Sequence, residues 1–272
     1  ISTTGGNWSD TGAWVEGAVP TSSDAVTSTA SSANLTIDSP AVCSTINLTN
    51  YVGTLTWDST LTVSGATITF PTGMTHAGTA GTLISNAACT LTSGSAPLTA
   101  NLSLGSGTKT LSGTWTVNGS LTKTATGVVN GDISVGGGFY NNTGGITSST
   151  GKLTLTGGKW TGTATNFYKD FDIAGDVTID GIVYYSATSK TIRYVSGNVT
   201  TTNSTVIFTG GSTVYLGGIN FNNVTLGYGS NTYYSENLYV YGMLTTTAAG
   251  MAHSNAIYAY GGFTSTTAIG NG

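Results

Sequence analysis

The densest group of ionisable residues in the chain is a run of four aspartates between positions 170 and 180. Paired carboxylates about 5–10 Å apart cleave glycosidic bonds, and carboxylate oxygens bind Ca²⁺. Asp170 and Asp172 alternate with apolar residues, which predicts that both project from the outer face of one strand. Asp176 and Asp180 are typical of turns, and the spacing of known calcium loops is absent. We interpret the run as a solvated face with turns, and we retain Asp170 and Asp172 as candidate cation ligands.

No other residues have the spacing of a catalytic or metal site. His76 and His253 are isolated from cysteine and carboxylate residues, so no zinc site is predicted. No serine lies in a Gly-x-Ser-x-Gly turn between a strand and a helix. Gly136-Gly137-Gly138 does not lead into a helix, as a phosphate-binding loop would. The sequence therefore predicts a protein that is not an enzyme and uses no cofactor.

The tyrosines are concentrated late in the chain, where twelve of 14 follow residue 165. Several occupy the polar positions of an alternating pattern, so an outer ladder is expected if their apolar neighbours point inward. Such a ladder is a stacked structural face, a subunit interface, or a surface that stacks on sugar rings. The candidate binding or assembly residues are Tyr215, Tyr239, Tyr241, Tyr258 and Tyr260.

Threonines are frequently two residues apart, as in Thr54/Thr56 and Thr90/Thr92. These pairs resemble the threonine ladders of ice-binding solenoids, but their irregular spacing predicts that several fall on different faces. The strand propensity of threonine accounts for them without a ligand. Ice binding is kept as a further alternative.

Only 18 of the 272 residues are charged, whereas 84 are serine or threonine and 40 are glycine. Seven basic residues give no electrostatic footprint for nucleic acid, and no apolar run reaches the ~20 residues of a membrane helix. Glycine has no three-residue period, which excludes collagen. A hydrophobic content of 38% favours a folded core over disorder. A hydroxyl-rich surface with few charges suits an extracellular protein that packs against its own copies or another partner.

Apolar and polar residues alternate in short runs that end in glycine, as at 61–65, 115–119 and 153–157. Period-two alternation predicts strands with one buried face, and the closing glycine is expected to supply positive φ for a turn. Many units recur at about 18–24 residues, which predicts a parallel β-solenoid of ~12–14 rungs. A β-sandwich is the alternative.

Residues 1–30 contain no repeat unit but include Trp8 and Trp14. An open solenoid end exposes apolar core and unpaired strand edges. This segment is therefore predicted to cap a solenoid of residues 31–272, which is tyrosine-rich from about residue 165. The chain does not begin with Met, which indicates processing or trimming. Cys43 and Cys89 lie in similar contexts and either bridge neighbouring rungs or pack as buried thiols.

A family resemblance is carried by Gly6-Asn7-Trp8-Ser9-Asp10, Trp14 and Val19-Pro20-Thr21-Ser22-Ser23-Asp24, followed by Asn34-Leu35-Thr36-Ile37-Asp38 and Gly53-Thr54-Leu55-Thr56-Trp57. These residues resemble a diffuse group of β-solenoid proteins, the tail fibres and appendages of phage virions and the fibres or adhesins of prokaryotic surfaces. The similarity covers residues 1–160, is compositional beyond the tryptophan motif, and assigns no catalytic residue. It implies an extracellular or virion location and a structural or adhesive role.

From these observations we expect a structural subunit of an extracellular or virion fibre that forms homo-oligomers or filaments through its faces or ends. The alternative is an adhesive domain that binds a receptor or a cell-surface glycan. A polysaccharide-degrading enzyme like a tailspike is disfavoured by the sparse carboxylates. Neither nucleic-acid binding nor membrane insertion is expected.

Overall fold

Parallel strands stack into a solenoid of about 11 turns, as the sequence predicts. The computed structural model describes residues 1–113, 115–142, 145–147, 149–165, 167–227, 237–247 and 256–265, and the backbone of 233–234. The β-sandwich alternative is wrong because the strands of this fold are stacked in parallel, whereas sandwich sheets are antiparallel. One 3₁₀ helix, Thr11–Ala13, occurs among the described residues. No helix in this part of the chain has the length and apolar character needed to cross a membrane.

The strands are short, with two exceptions of ten residues. In chain order they are β1 (Gly6–Asn7), β2 (Ala25–Thr27), β3 (Leu35–Ile37), β4 (Ala41–Cys43), β5 (Thr45–Asn47), β6 (Thr54–Trp57), β7 (Thr60–Val63), β8 (Thr67–Thr69), β9 (Thr75–Ala77), β10 (Thr82–Ser85), β11 (Cys89–Thr92), β12 (Asn101–Leu104), β13 (Lys109–Ser112), β14 (Trp115–Val117), β15 (Leu121–Lys123), β16 (Val129–Asn130), β17 (Ile133–Val135), β18 (Gly138–Asn141), β19 (Lys152–Thr161), β20 (Asp170–Ile179), β21 (Ile182–Tyr185), β22 (Thr191–Ser196), β23 (Val199–Thr200), β24 (Thr205–Phe208), β25 (Thr213–Tyr215), β26 (Asn220–Phe221), β27 (Asn223–Leu226), β28 (Tyr233–Tyr234), β29 (Leu238–Val240), β30 (Met243–Thr246), β31 (Ile257–Ala259) and β32 (Gly262–Ser265).

Most turns pass through three faces in the same order. Face 1 contains β1, β3, β6 and β9, and later β14, β17, β22, β25 and β28. Face 2 contains β4, β7, β10, β12, β15 and β18, and later β23, β26, β29 and β31. Face 3 contains β2, β5, β8, β11, β13 and β16, and later β21, β24, β27, β30 and β32. The long strands β19 and β20 extend from face 1 into face 2, so they join these two faces in the middle of the solenoid.

Alternation of side chains builds the core on all three faces. In β6, Leu55 and Trp57 are buried and the two threonines between and before them are half-exposed. Successive coils align equivalent residues, as in the pairing of Leu35 with Leu55 on face 1. Aromatic residues fill the middle of the core, where the rings of Trp160 and Phe171 are 4.9 Å apart. The period-two pattern of the sequence thus corresponds to inward and outward positions of the solenoid.

The prediction of ~12–14 rungs was too high because it assigned nearly the whole chain to coils. Neighbouring coils are offset by about 20 residues, as predicted, but residues 1–34 contribute only the first, irregular turn. About 11 turns at ~4.8 Å per strand give a stack about 50–55 Å long.

The N-terminal segment belongs to the solenoid itself. β1 pairs with β3, and β2 pairs with β5, so residues 1–30 contribute strands to faces 1 and 3. That this segment caps the solenoid stays a prediction. Trp8 and Trp14 are both buried, with their rings 4.8 Å apart and edge to face. The indole Nε1 of Trp14 donates a hydrogen bond to the carbonyl of Trp8 at 2.9 Å. The two tryptophans extend the apolar core to its N-terminal end.

Glycine has a different role from the predicted one at several unit ends. Gly181 does have positive φ, at 71°. At Gly65 and Gly119 φ is not positive, and a Cβ would lie 2.5–2.6 Å from a carbonyl oxygen of the preceding coil. These glycines are required because neighbouring coils approach too closely for a side chain.

The two cysteines are free and buried, and no disulfide joins them. Cys43 is in β4 on face 2 and Cys89 is in β11 on face 3, so they are not on neighbouring rungs of one sheet. The interpretation as buried thiols is confirmed. Burial raises the pKa of the Cys43 thiol to about 12, which keeps the group protonated.

Candidate functional site

Four of the predicted tyrosines form a ladder on the outside of face 2. Strand β29 pairs with β31, and this register places Tyr239 beside Tyr258. Their rings are stacked, with centroids 5.2 Å apart and planes 9° apart. Tyr241 and Tyr260 form the second stacked pair at 4.8 Å and 25°. Because Leu238 and Val240 are fully buried, Tyr239 and Tyr241 project outward as the alternation predicts. In β31 burial does not alternate, since Ile257 is half-buried and Ala259 is exposed. Stacking on Tyr239 and Tyr241 places Tyr258 and Tyr260 on the same side. We refer to these four tyrosines as the tyrosine ladder.

The tyrosine ladder is largely exposed. The exposed fraction is 54% for Tyr241, 43% for Tyr258 and 60% for Tyr260. Met243, at the corner between faces 2 and 3, is 43% exposed and follows Tyr241 by two residues. Exposed large apolar side chains that lie together are typical of interaction surfaces. We refer to Tyr241, Met243, Tyr258 and Tyr260 as the aromatic patch.

Tyr215 lies apart from the tyrosine ladder. It is at the end of β25 on face 1, where its register partner is Arg193. The structure thus brings together four of the five tyrosines that the sequence indicated, and it places the fifth beside a charged residue on another face.

The aspartate run forms ion pairs across the coils. Phe171 and Ile173 are buried, so Asp170 and Asp172 lie on the outer side of β20 as expected. The Asp172 carboxylate accepts a hydrogen bond from Lys152 Nζ at 2.7 Å. The same carboxylate also accepts two hydrogen bonds from Arg193, which donates through Nε at 3.2 Å and through a terminal guanidinium nitrogen at 2.9 Å. Two cations from the neighbouring coils therefore neutralise Asp172, and this arrangement disfavours a bound metal cation.

Burial and ion pairing act in opposite directions on Asp172. Burial raises the pKa of the carboxyl group. The hydrogen bonds and charges of Arg193 and Lys152 together lower this pKa by more than burial raises it, so the net pKa is below the ordinary value. The group is ionised at neutral pH and is not a proton donor for catalysis.

The other aspartates of this region tie one coil to the next. Asp170 accepts a hydrogen bond from the backbone N–H of Thr191 at 2.7 Å, and Asp176 accepts one from Asn198 at 2.8 Å. Asp176 lies within β20 and is not a turn residue. Asp180 follows that strand and forms an exposed ion pair with Lys159 at 3.0 Å. Among the described residues, no group of three or more His, Cys, Asp or Glu side chains is arranged to hold a metal ion.

Three buried lysines were not anticipated from the sequence. The Lys169 ammonium donates to the carbonyls of Val129 at 2.9 Å, Gly131 at 2.7 Å and Thr150 at 2.5 Å. Lys109 and Lys123 bond in the same way to carbonyls of their own and the preceding coil. Burial lowers the pKa of Lys123 and Lys169 to about 8. These lysines crosslink turns of the backbone and do not reach a surface site.

His76 is half-buried beside the aromatic residues of the core. Its Nδ1 accepts a hydrogen bond from Trp57 Nε1 at 3.0 Å, and its ring contacts Phe70. Burial lowers its pKa to about 4, so the imidazole is neutral at physiological pH. His253, the other isolated histidine, lies outside the described residues.

The threonine pairs fall on different faces, as predicted. Thr54 and Thr56 are on face 1, whereas Thr90 and Thr92 are on face 3. On face 3 the β8 and β11 pairs are in register, which places Thr67 beside Thr90. The hydroxyls therefore cover several sides of the molecule.

A shallow groove adjoins the tyrosine ladder on its N-terminal side. It has a volume of about 320 Å³ and is lined by Thr201, Thr202, Asn220, Phe221, Asn222 and Tyr241. We call it the Asn–Thr groove.

Comparison of the chain with protein-family models, curated proteins and solved structures found no match. The resemblance to fibre and adhesin proteins therefore remains a prediction from the sequence.

Proposed function

We propose that the chain is a non-enzymatic structural subunit of an extracellular or virion fibre, and that neighbouring rods assemble side by side through the aromatic patch. The observation that carries this proposal is the exposure of Tyr241, Met243, Tyr258 and Tyr260 together on adjoining coils. Tyrosine and methionine are enriched at protein interfaces, where charged residues are depleted.

The charge distribution supports this role. Glu236 is the sole charged residue after Arg193, so the aromatic patch lies in a part of the chain almost free of charge. Burial of such a surface against a second copy requires little desolvation of ions. The parallel stack of about 11 turns supplies a continuous hydrogen-bonded body on which the patch has a fixed position.

Replacement of Tyr241, Tyr258 and Tyr260 by serine tests the proposal. The wild-type chain is expected to show concentration-dependent assembly by analytical ultracentrifugation, and the triple variant to assemble at least about tenfold more weakly, because interface tyrosines are common hot spots. A matched control replaces Tyr140, Tyr184 and Tyr215, outward tyrosines elsewhere on the solenoid. Circular dichroism verifies that both variants fold.

Two results would contradict side-by-side assembly. One is a wild-type chain that stays monomeric at every concentration. The other is equal loss of assembly in the aromatic-patch variant and in the matched control.

A further inference from the structure

Beyond the structural role, we propose that the Asn–Thr groove binds a neutral hexopyranose sugar. The groove combines an aromatic wall with polar groups that are available for hydrogen bonds, and its described lining residues are uncharged.

The aromatic wall is one side of the Tyr241 ring. Tyr241 bonds through its N–H to the carbonyl of Phe221 on the preceding coil, at 2.8 Å. Tyr260 lies on the following coil, and its ring stacks on that of Tyr241 at 4.8 Å. The groove is built from the preceding coils, so the ring side next to the groove is opposite the side that contacts Tyr260. A ring that is supported from behind is suited to stacking against the apolar side of a sugar ring.

The polar wall is formed by Asn220, Asn222 and Thr202. Within the described part of the chain, their side chains make no hydrogen bond to another protein group. The side-chain amides of Asn220 and Asn222 each provide an NH₂ donor group and a carbonyl acceptor, and the Thr202 hydroxyl can both donate and accept a hydrogen bond. The Thr201 hydroxyl differs, because it is engaged with the carbonyl of Asn220 at 2.6 Å. A sugar with hydroxyls around an apolar ring matches this combination.

The size and charge of the groove narrow the ligand class. A volume of about 320 Å³ lies at the lower end of the range of small-ligand pockets, which favours a small ligand. The described residues of the lining include no carboxylate and no ammonium or guanidinium group. A carboxylated, sulfated or phosphorylated sugar would enter without a counter-charge, so an uncharged sugar is favoured.

The second groove of similar size does not offer this chemistry. It is lined by Asp132, Lys152, Asp170, Asp172 and Arg193, whose charges already pair with one another or bond to backbone groups of neighbouring coils.

The full chain is titrated with methyl glycosides of glucose, galactose, mannose and N-acetylglucosamine, and binding is monitored by saturation-transfer NMR. Methyl glucuronide is the charged probe. At least one neutral glycoside is expected to bind in the millimolar range, and methyl glucuronide at least about tenfold more weakly. Asn222→Leu and Tyr241→Leu are each expected to weaken binding about tenfold or more, whereas Tyr241→Phe keeps the ring and retains binding. Tyr215→Leu on face 1 is the matched control.

The proposal is overturned if none of the four neutral glycosides binds, or if Asn222→Leu and Tyr241→Leu bind as the wild type does. Asn222 is outside the aromatic patch, so Asn222→Leu is expected to leave assembly intact. Tyr258→Ser is expected to weaken assembly and leave the sugar site in place. Failure of sugar binding is thereby distinguishable from failure of assembly.

Discussion

At the scale of single residues, the buried lysines show how a chain with few charges uses them. Lys123 follows Leu121 by two residues in β15, so the alternation that predicts a buried leucine also assigns the lysine to the core. The pattern therefore contained the signal. The alternation did not show which carbonyls accept hydrogen bonds from each ammonium. These carbonyls come from stacked turns, and which turns are in contact depends on the number of residues in each coil.

Replacement of Lys169 by Met is expected to lower the free energy of unfolding by about 2–4 kcal/mol. Three carbonyls lose their donor in the core, and a buried acceptor left unpaired costs about 1–3 kcal/mol. The measurement is the urea midpoint, with Lys159→Met as the control because Lys159 forms an exposed ion pair. Exposed pairs contribute about 0–1 kcal/mol. Equal losses in the two variants would contradict a special role for Lys169.

His76 makes stability depend on pH in a defined window. Its folded pKa of about 4 is below the ordinary 6.5, so the unfolded chain takes up the proton first. The unfolding free energy is therefore expected to fall as pH drops from about 6.5 towards about 4, by at most about 1.4 kcal/mol per pH unit. His76→Gln keeps an acceptor for Trp57 and should remove this dependence, as measured by urea unfolding at pH 7 and pH 4.5. An unchanged pH profile in this variant would contradict the assignment.

At the scale of the strand and turn, hydrogen bonds from one coil to the next recur at Asn and Asp side chains. Asn101 accepts from the N–H of Ser120 at 2.9 Å, and Asn130 accepts from that of Thr150 at 3.0 Å. Asp132, Asp170 and Asp176 make the same bond, which gives these carboxylates a structural role. Strand alternation was readable from the sequence. The hydrogen bonds from Asn and Asp side chains to the next coil could not be predicted from the sequence, because they depend on which residues face each other across coils.

Close approach between coils predicts opposite outcomes for two glycines. In Gly119→Ala the new Cβ would lie 2.6 Å from the Ala100 carbonyl oxygen, so a destabilisation of about 1–3 kcal/mol is expected. In Gly12→Ala no heavy atom lies within 4 Å of the new Cβ, and a change within about 0.5 kcal/mol is expected. Urea unfolding of both variants measures the difference. A tolerated Gly119→Ala would contradict the closeness of the coils.

At the scale of the whole molecule, the sequence predicted the solenoid because one strand pattern repeats at a nearly constant interval. It also identified the tyrosine ladder, whose residues share the outward positions of β29 and β31 and the turns that follow. It did not separate Tyr215 from the ladder, because the face on which a strand lies is set by the number of residues in each turn. The Asn–Thr groove could not be predicted from the sequence either, since its lining residues belong to different coils.

The central functional claim is that neighbouring rods contact one another through the aromatic patch, and cryo-electron microscopy of the concentrated wild-type chain tests it most directly. We expect laterally associated rods, each about 50–55 Å long from about 11 turns, with Tyr241, Tyr258 and Tyr260 buried at the contact. Isolated rods at every concentration, or assemblies that leave these three tyrosines exposed to solvent, would contradict it.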